Sequence, residues 1–384
     1  MWPSRTCPVQ GWPMTPLSGE LGRITARGGP YDLGFALGRA GQSSVRRHLL
    51  GSVLWQRVTA EDLAPHVTRM ADVTNARYPA IHQELSGLAD GLGLTFPEVM
   101  AWNARGDLLA LGGDGCTTVQ LPGATPVLAH NEDGLPFFRG DCFLVDLIPE
   151  DGPRSVSFCY PGSIPGHTFA VADTGLVITV NNLRLRDVRA DCPRMVLSRA
   201  AMLAPDRNAA IDLLRAAPVS GGFHLSMAQA GHADILSVSF GGGAVHVVAH
   251  TRPAAHANHA LVLNGPLSDQ DITASSRDRQ NRADILLQQG YDPLSMLRDT
   301  GGEGLPIYRQ SPDDPDFENT LAQFHARMEA DHVDWQVWSG NPILTDGPQY
   351  KGRIRVEQSA SQPASHHSSA ARARAVRQEV RNAS

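Results

Sequence analysis

The residue best suited to chemistry in this sequence is a cysteine that directly follows a glycine. Cys116 lies in GGDGCTTVQL, after Gly115 and ahead of a β-rich run. Glycine permits backbone angles that other residues resist, so a strained Gly115–Cys116 peptide with the thiol over its own carbonyl can rearrange to a thioester, which water opens. Cys116 would then be an N-terminal residue. Its α-amine, with a reference pKa of roughly 7.7–8.0, could serve as the base for its own thiol.

Two later β-rich runs end in polar residues that could assist this thiol. HNED holds His130, Asn131 and Asp133, and its turn returns close to Cys116 if VLAH pairs with TTVQL as a hairpin. A carboxylate there could orient the α-ammonium; the alternative is an Asx-turn at a strand end. Asn181 and Asn182 end LVITVNNL. Either amide could donate to an oxyanion or simply cap the strand.

Two further segments carry polar residues with open roles. HANH, at His256 to His259, has the spacing of half a metal site, but no matching cysteine or carboxylate cluster is nearby, so no metal is predicted. SSRDRQNR predicts a helix start capped by Ser275 or Ser276. Its Arg279 could bind an acyl or carboxylate group bidentately, or lie on a solvated helix face.

Taken in order, these segments resemble the acyl-CoA:isopenicillin N acyltransferase family, a branch of the N-terminal nucleophile (Ntn) hydrolases. The resemblance runs from about residue 27 to 290, and the segments that carry it are RGGPYDLGFALG, GDGCTTV, HNED, GLVITVNNL with the following PRMVL, HANHAL and SSRDR. This chain departs from the family pattern at His130, where relatives often have Arg or Gln. WQVWSGNPILTDG also matches the family's closing strands poorly.

The resemblance implies a role for each matched residue. Cys116 would be the nucleophile, Asp133 its polar partner, Asn181 the oxyanion donor and Arg279 the arginine of the site. Asn182 replaces Asn181 if the register differs by one. We also expect four polar side chains near the nucleophile to contact substrate: Thr117, His130, Asn131 and Asn182.

The resemblance also implies a reaction and a fold. Cys116 would attack an amide or thioester and pass the acyl group to water or to an amine. The expected substrate is a small acylated amine or peptide, with acyl-CoA as a candidate donor and no cofactor. The expected fold is α+β, a four-layer αββα sandwich with two antiparallel sheets between helices. Two rival interpretations stay open: a non-processing member that binds a ligand without catalysis, and a cysteine hydrolase with His130 as a separate base.

Composition excludes several other classes of protein. The 384 residues carry a net charge of -6, with 33 basic and 39 acidic residues, so nucleic acid is not an expected partner. Lys351 is the only lysine. No phosphate-binding loop ending in Gly-Lys-Ser/Thr can therefore be written, and a Schiff-base lysine would have to be Lys351.

Cysteine usage and hydropathy indicate a reducing compartment. The five cysteines are an odd number, and no two have a Cys-x-x-Cys spacing, so neither a disulfide framework nor a zinc knuckle is indicated. The first residues lack the apolar stretch of a signal peptide, and no run of 18 apolar residues occurs. We expect a cytoplasmic protein without a membrane partner.

The chain divides into three parts, whose secondary-structure elements must position these residues. Residues 1–115 read as a helical pro-segment that becomes a small subunit after cleavage and stays bound to the rest. Thr95 and Glu98 form a capping box, and Gly112 and Gly113 stop the last helix. Residues 116–356 form the catalytic part, and 357–384, without periodicity, are expected to be disordered.

Within the catalytic part we expect β-rich runs separated by helices. The predicted helices are PRMVLSRAAML, RNAAIDLLRAA, one from about Ser275 to Leu287 and one around Leu321 to Met328. ILSVSF and AVHVVAH flank a three-glycine turn and predict a hairpin, while ALVLNG and HVDWQVW read as later strands.

Overall fold

The computed structural model describes residues 20–109, 115–186, 189–262, 264–311, 313–339 and 347–356. The predicted helix stop at Gly112 and Gly113 and the predicted disorder of 357–384 lie outside these residues, as do residues 1–19. No described helix combines the length and the apolar character needed to cross a bilayer.

Strands and helices are labelled here in chain order. The strands are β1 (Gly22–Gly28), β2 (Cys116–Leu121), β3 (Val127–Gly134), β4 (Phe143–Pro149), β5 (Ser155–Cys159), β6 (Phe169–Ala172), β7 (Leu176–Leu183), β8 (Gly222–Gln229), β9 (Ile235–Gly241), β10 (Ala244–His250), β11 (Ala254–His256), β12 (Asn319–Met328), β13 (His332–Ser339) and β14 (Tyr350–Arg355). The α-helices are α1 (Pro30–Ser44), α2 (Val53–Val58), α3 (Ala64–Arg77), α4 (Pro79–Leu92), α5 (Phe96–Asn103), α6 (Arg105–Leu108), α7 (Arg194–Met202), α8 (Arg207–Arg215), α9 (Ala274–Gln288) and α10 (Pro293–Leu297).

Within the described residues the strands form two sheets that pack face to face. One has eight strands in the order β1-β4-β5-β6-β7-β8-β9-β10, and the other has six in the order β11-β2-β3-β12-β13-β14. β2 and β3 lie against β7, and β3 also lies against β8. Helices α1, α7 and α8 contact the eight-stranded sheet, and α9 and α10 contact the six-stranded sheet. The expected αββα sandwich is therefore confirmed.

The segment before Cys116 is joined to the rest by strand pairing as well as by helix packing. β1 pairs in parallel with β4, so the segment is not wholly helical. Helices α1 and α4 approach closely through glycines: a Cβ at Gly34 would lie 1.8 Å from the carbonyl oxygen of Glu84. Glu84 in turn accepts a buried hydrogen bond of 3.0 Å from Arg199 in α7. These contacts do not depend on an intact peptide bond at Cys116.

Several local predictions are confirmed. β9 and β10 form the expected hairpin, and the three glycines of its turn all have positive φ. Thr95 begins α5 with a capping box in which its backbone N–H donates to Glu98 Oε2 at 2.9 Å. β2 and β3 form the hairpin expected from TTVQL and VLAH.

Three local predictions are wrong. The expected helix around Leu321 to Met328 is β12, a central strand between β3 and β13. A central strand is buried on both faces, so its apolar residues lose the alternation that separates strand from helix. In ALVLNG, the described residues are not in a strand, and β11 ends earlier at His256. Helix α9 is capped by Thr273, whose hydroxyl accepts from Ser276 N, and not by Ser275 or Ser276.

Candidate active site

The register of the β2–β3 hairpin fixes the neighbours of the candidate nucleophile. Cys116 lies opposite Glu132, and Thr117 lies opposite Asn131. Successive side chains of a strand point to opposite faces of its sheet. Cys116 and Glu132 therefore face the eight-stranded sheet, while Thr117, Asn131 and Asp133 face the helices α9 and α10.

The Gly115–Cys116 peptide is held on both sides by hydrogen bonds. The carbonyl oxygen of Gly115 accepts from the backbone N–H of Asp133 at 2.9 Å. The N–H of Cys116 donates to Asn258 Oδ1 at 2.8 Å. A donor on the carbonyl oxygen and an acceptor on the N–H orient this peptide and polarise its carbonyl.

The thiol of Cys116 lies beside a buried carboxyl group. Its Sγ is 3.8 Å from Glu132 Oε2, and that same oxygen is 3.1 Å from His130 Nε2. Tyr160 donates its hydroxyl hydrogen to the other carboxyl oxygen, Oε1, at 2.8 Å. Cys116, Glu132 and His130 are each at most 1% exposed. The thiol, the carboxyl group and the imidazole therefore form a chain closed to solvent.

The hydrogen-bond directions locate one proton in this chain. Thr118 donates its only hydroxyl hydrogen to Asn181 Oδ1 at 2.8 Å, so its oxygen accepts from His130 Nδ1, also at 2.8 Å. Burial, together with the charge of Arg279, lowers the pKa of His130 to about 3, so the ring is neutral and its Nε2 is an acceptor. The hydrogen between His130 and Glu132 then belongs to the carboxyl group. His130 does not reach the thiol directly.

Asp133 points away from the thiol but lies beside the same peptide. Its Oδ1 accepts from the Thr320 hydroxyl at 2.6 Å, whereas its buried Oδ2 has no hydrogen-bond partner among the described residues. Burial raises the pKa of Asp133 to about 6, although the charge of Arg279 opposes the shift. Buried acceptor atoms are nearly always paired, so this carboxylate oxygen can accept a hydrogen bond from a further donor.

Arg279 binds the backbone of Cys116. Its Nη1 donates to the carbonyl oxygen of Cys116 at 2.5 Å and to Thr117 Oγ1 at 2.9 Å, and its Nη2 donates to Asn258 Oδ1 at 2.7 Å. Its Nε donates to Ser275 Oγ at 3.1 Å. Burial lowers the pKa of this guanidinium, and the carboxylates nearby oppose the shift. Arg279 thus positions Cys116 and Asn258, and it is not on a solvated helix face.

The asparagines predicted for the site differ in their surroundings. Asn181 faces the six-stranded sheet, where its Nδ2 donates to the carbonyl oxygen of His256 at 3.2 Å. The buried side-chain amide of Asn182 has no partner among the described residues, although the backbone carbonyl oxygen of Asn182 accepts from Asn258 Nδ2. Asn131 donates to the carbonyl oxygen of Leu297 at 2.6 Å. Asn131 therefore bonds helix α10 and faces away from the thiol.

Gly115 packs against a buried ion pair. A Cβ at this position would lie 2.2 Å from Glu318 Oε2 and 3.0 Å from Arg279 Nη2. Glu318 Oε2 accepts from Arg309 Nη1 at 2.5 Å, and both side chains are at most 1% exposed. Glycine at 115 is required because there is no space for a side chain beside this carboxylate.

The remaining described thiols are buried and unreactive. Burial raises the pKa of Cys192 to about 12 and raises the pKa of Cys142 and Cys159 further. A thiol reacts as its thiolate, so these three cysteines are poor nucleophiles at neutral pH.

The structure brings potential metal ligands together in one place. Among the described residues, the donor atoms of Cys116, His130 and Glu132 lie within 4.8 Å of one another. Their hydrogen bonds already account for this proximity. In HANH, His256 Nδ1 lies 2.7 Å from the carbonyl oxygen of Ala257, and His259 Nδ1 lies 2.8 Å from Ser276 Oγ. The two histidines thus have separate partners, and we assign no metal to either group.

Three residues of this site were not predicted from the sequence. Asn258 lies within HANH, but its contact with Cys116 follows from the pairing of β11 with β2 across a long separation. Glu132 could have been found, because counting back from the Leu121–Val127 pair of the hairpin places it opposite Cys116. Glu318 lies far from Gly115 in the sequence and carries no local signal.

Comparison with known proteins gives a family and curated relatives. Residues 121–343 match the model of the family described as acyl-coenzyme A:6-aminopenicillanic acid acyl-transferase. A beta-alanyl-dopamine/carcinine hydrolase of Drosophila melanogaster is 25% identical over 249 residues, which are 56% of this chain and 60% of that protein. The chain thus spans less than two thirds of that relative's length.

Two solved structures are also similar. An N-acylethanolamine-hydrolyzing acid amidase ortholog of Caenorhabditis elegans has a TM-score of 0.37 and 11% identity, covering 60% of this chain and 95% of that one. A mutant of the conjugated bile acid hydrolase of Clostridium perfringens has a TM-score of 0.38 and 8% identity, covering 64% of this chain and 97% of that one.

Proposed function

Because the chain belongs to the acyl-coenzyme A:6-aminopenicillanic acid acyl-transferase family, we propose that it is an enzyme that first cuts itself between Gly115 and Cys116. Cys116 then serves as an N-terminal nucleophile that hydrolyses an amide or transfers an acyl group. The observation that carries this proposal is the scissile peptide: its carbonyl oxygen has a donor in Asp133 N–H, its N–H has an acceptor in Asn258, and its thiol lies beside Glu132.

Self-cleavage needs a base other than the α-amine, since that nitrogen is still part of the peptide bond. Glu132 and His130 fill this role as a pair. The carboxyl group passes its proton to His130 Nε2 and takes the thiol proton, which leaves a thiolate and an imidazolium. The thiolate attacks the Gly115 carbonyl carbon while Asp133 N–H stabilises the oxyanion.

The cut is completed by proton return and hydrolysis. The C–N bond breaks as the pair returns a proton to the departing nitrogen of Cys116, which leaves a thioester and a free amine. Water then hydrolyses the thioester, giving a Gly115 carboxylate and a free Cys116 thiol. The strand β1 and helix α1 keep their contacts, so the first fragment remains bound.

In the processed enzyme the α-amine of Cys116 becomes the base for its own thiol. The unfilled Oδ2 of Asp133 is available for the ammonium, and Asn258 Oδ1 continues to accept from the same nitrogen. The thiolate attacks the substrate carbonyl, and the amine leaves with a proton from the α-ammonium. The acyl-enzyme then passes its acyl group to water or to a second amine, with Asn181 as the candidate oxyanion donor.

The substrate class we propose is a small acylated amine. The curated relative is named for hydrolysis of beta-alanyl-dopamine and carcinine, which supports an amide as the bond that is attacked. The family description names an acyl-CoA donor, so a thioester is a second candidate donor. Neither of these two proposed reactions requires a dissociable cofactor.

Trapping of the acyl-enzyme tests this proposal. The processed protein is mixed with a panel of N-acyl amines and quenched in acid, and the fragment that begins at Cys116 is mapped by mass spectrometry. We expect the acyl mass on Cys116 and its release by hydroxylamine. Turnover without any acylated Cys116, or turnover that survives Cys116→Ala, would exclude the mechanism.

A further inference from the structure

A cavity of about 400 Å³ opens where the edges of the two sheets meet beneath helix α9. The edge strands there are β10 of the eight-stranded sheet and β11 of the six-stranded sheet. Residues of β8, β9, β10, β11 and α9 line the cavity. Its volume is in the range of small-molecule sites.

The cavity begins close to the candidate nucleophile. His256, which lines it, lies opposite Thr118 in the β11–β2 pairing. Asn258, two residues further on, binds the N–H of Cys116. Thr118 is two residues from Cys116 in strand β2, which is about 6–7 Å along an extended strand.

Two stacked neutral imidazoles form the inner wall. The rings of His224 and His256 have centroids 3.3 Å apart and planes 6° apart. Burial lowers the pKa of His256 to about 3, and burial beside His256 lowers the pKa of His224 well below its ordinary value, so neither ring is charged at neutral pH.

One nitrogen of this wall is an unfilled acceptor. His256 Nδ1 lies 2.7 Å from the carbonyl oxygen of Ala257 and must carry the hydrogen that joins them. Its Nε2 is therefore a lone pair, and this buried atom has no hydrogen-bond partner among the described residues. Buried acceptors are nearly always paired, so this one indicates a missing donor.

The charges of the wall restrict the ligand further. Asp284 is the only carboxylate, and no arginine or lysine appears, among the described residues that line the cavity. A ligand carboxylate or phosphate would have no countercharge here. A neutral or cationic group with an N–H or O–H donor fits, and a flat ring would extend the stack of imidazoles.

We propose that this cavity binds the amine portion of the substrate, and that the amine carries a flat ring with an O–H or N–H donor, such as a phenol. The assignment rests on the proposed Cys116 acyl-enzyme. In that reaction the acyl group stays on Cys116 while one amine leaves and water or another amine enters. A cavity open at the sheet edges suits the part that exchanges, and His256 Nε2 accepts its hydrogen bond.

Matched amides test the assignment. One acyl group is coupled to tyramine and to phenethylamine, which differ by the phenol oxygen alone. We expect wild-type kcat/KM to be about tenfold higher for the tyramine amide, mostly through KM, the usual effect of one hydrogen bond. His256→Phe keeps a flat ring but removes the acceptor and should abolish the preference, whereas His256→Gln should restore part of it. His232→Phe makes the same change at an exposed residue outside the cavity and should leave the preference intact.

Equilibrium binding separates failure of this assignment from failure of the proposed function. Tyramine is titrated into the unprocessed Cys116→Ala chain, with and without His256→Phe, and phenethylamine serves as the reference. Weaker tyramine binding in the His256→Phe chain supports the cavity even if no acyl-enzyme forms. Equal affinity for the two amines in the Cys116→Ala chain, or a tenfold substrate preference that survives His256→Phe, overturns the proposal.

Discussion

Replacing Gly115 with alanine tests whether the scissile peptide is held against the ion pair. The added Cβ would lie 2.2 Å from Glu318 Oε2 and 3.0 Å from Arg279 Nη2, and real Cβ contacts are longer than the first of these. To relieve this contact, either the Glu318 side chain moves away from Arg309 or the backbone shifts at Gly115. Overpacking of a buried site costs about 1–3 kcal/mol.

This cost is expected to appear in the cleavage rate. If this cost falls on the geometry of the Gly115–Cys116 peptide, cleavage slows by about five- to 150-fold, since 1.4 kcal/mol is a factor of ten. The rate is followed by the appearance of the two fragments on denaturing gels, and the melting temperature is measured in parallel. Gly51→Ala is the matched control, because its Cβ would meet nothing within 4 Å.

A second substitution sharpens this test. Glu318→Ala removes the atom that clashes, so the Gly115→Ala/Glu318→Ala variant should lose less rate than the sum of the two single effects. If the effects of the two single substitutions on the activation free energy add exactly, the two residues are not in contact. A Gly115→Ala protein that cleaves and melts like the wild type would refute the packing on which the argument depends.

Three other predictions concern the residues around the thiol. Glu132→Gln keeps the side-chain shape but cannot relay a proton, so self-cleavage should slow by about 10²–10⁴-fold on a gel time course; an unchanged rate would remove Glu132 as the base. Asn181→Ala in processed enzyme should lower kcat by about a hundredfold or more, the usual effect of a lost oxyanion donor, while loss in Asn182→Ala alone would move the role by one residue. Burial raises the pKa of Asp133 to about 6 in the uncut chain, and the α-ammonium of the processed enzyme opposes this shift. Because the ionised form is the one that pairs with the ammonium, kcat/KM should fall as pH drops through the pKa of Asp133, at or below about 6. Asp133→Asn should lower kcat/KM and remove most of this fall at low pH. If the fall persists unchanged in Asp133→Asn, another group is responsible for it.

The hairpin could be predicted from the sequence, and Cys116 could be chosen as the candidate nucleophile, because both signals are local. The β2–β3 hairpin follows from short β-rich runs around a glycine turn, and Gly115 directly precedes Cys116 in the chain. Asp133 could be predicted for the same reason. Glu132 was not predicted, although the register of the same hairpin places it opposite Cys116, because the family resemblance indicates Asp133 as the carboxylate of the site.

The rest of the site depends on pairing between distant parts of the chain. Asn258 reaches Cys116 only because the three-residue strand β11 adds to the edge of β2. Glu318 meets Gly115 only because β12 pairs with β3. The sequence favoured a helix for β12, since a strand buried on both faces loses its alternation. Because this strand was predicted as a helix, the sequence did not indicate the ion pair that packs against Gly115.

Intact-protein mass spectrometry of the purified chain tests the central claim most directly. If the chain cuts itself between Gly115 and Cys116, the 41.3 kDa chain should give pieces of about 12 and 29 kDa, as apportioned by length, and the larger should begin at Cys116. The Cys116→Ala chain should keep a single mass under the same conditions. A folded wild-type chain that retains its full mass after prolonged incubation, or a Cys116→Ala chain that is cut at the same bond, would contradict the account.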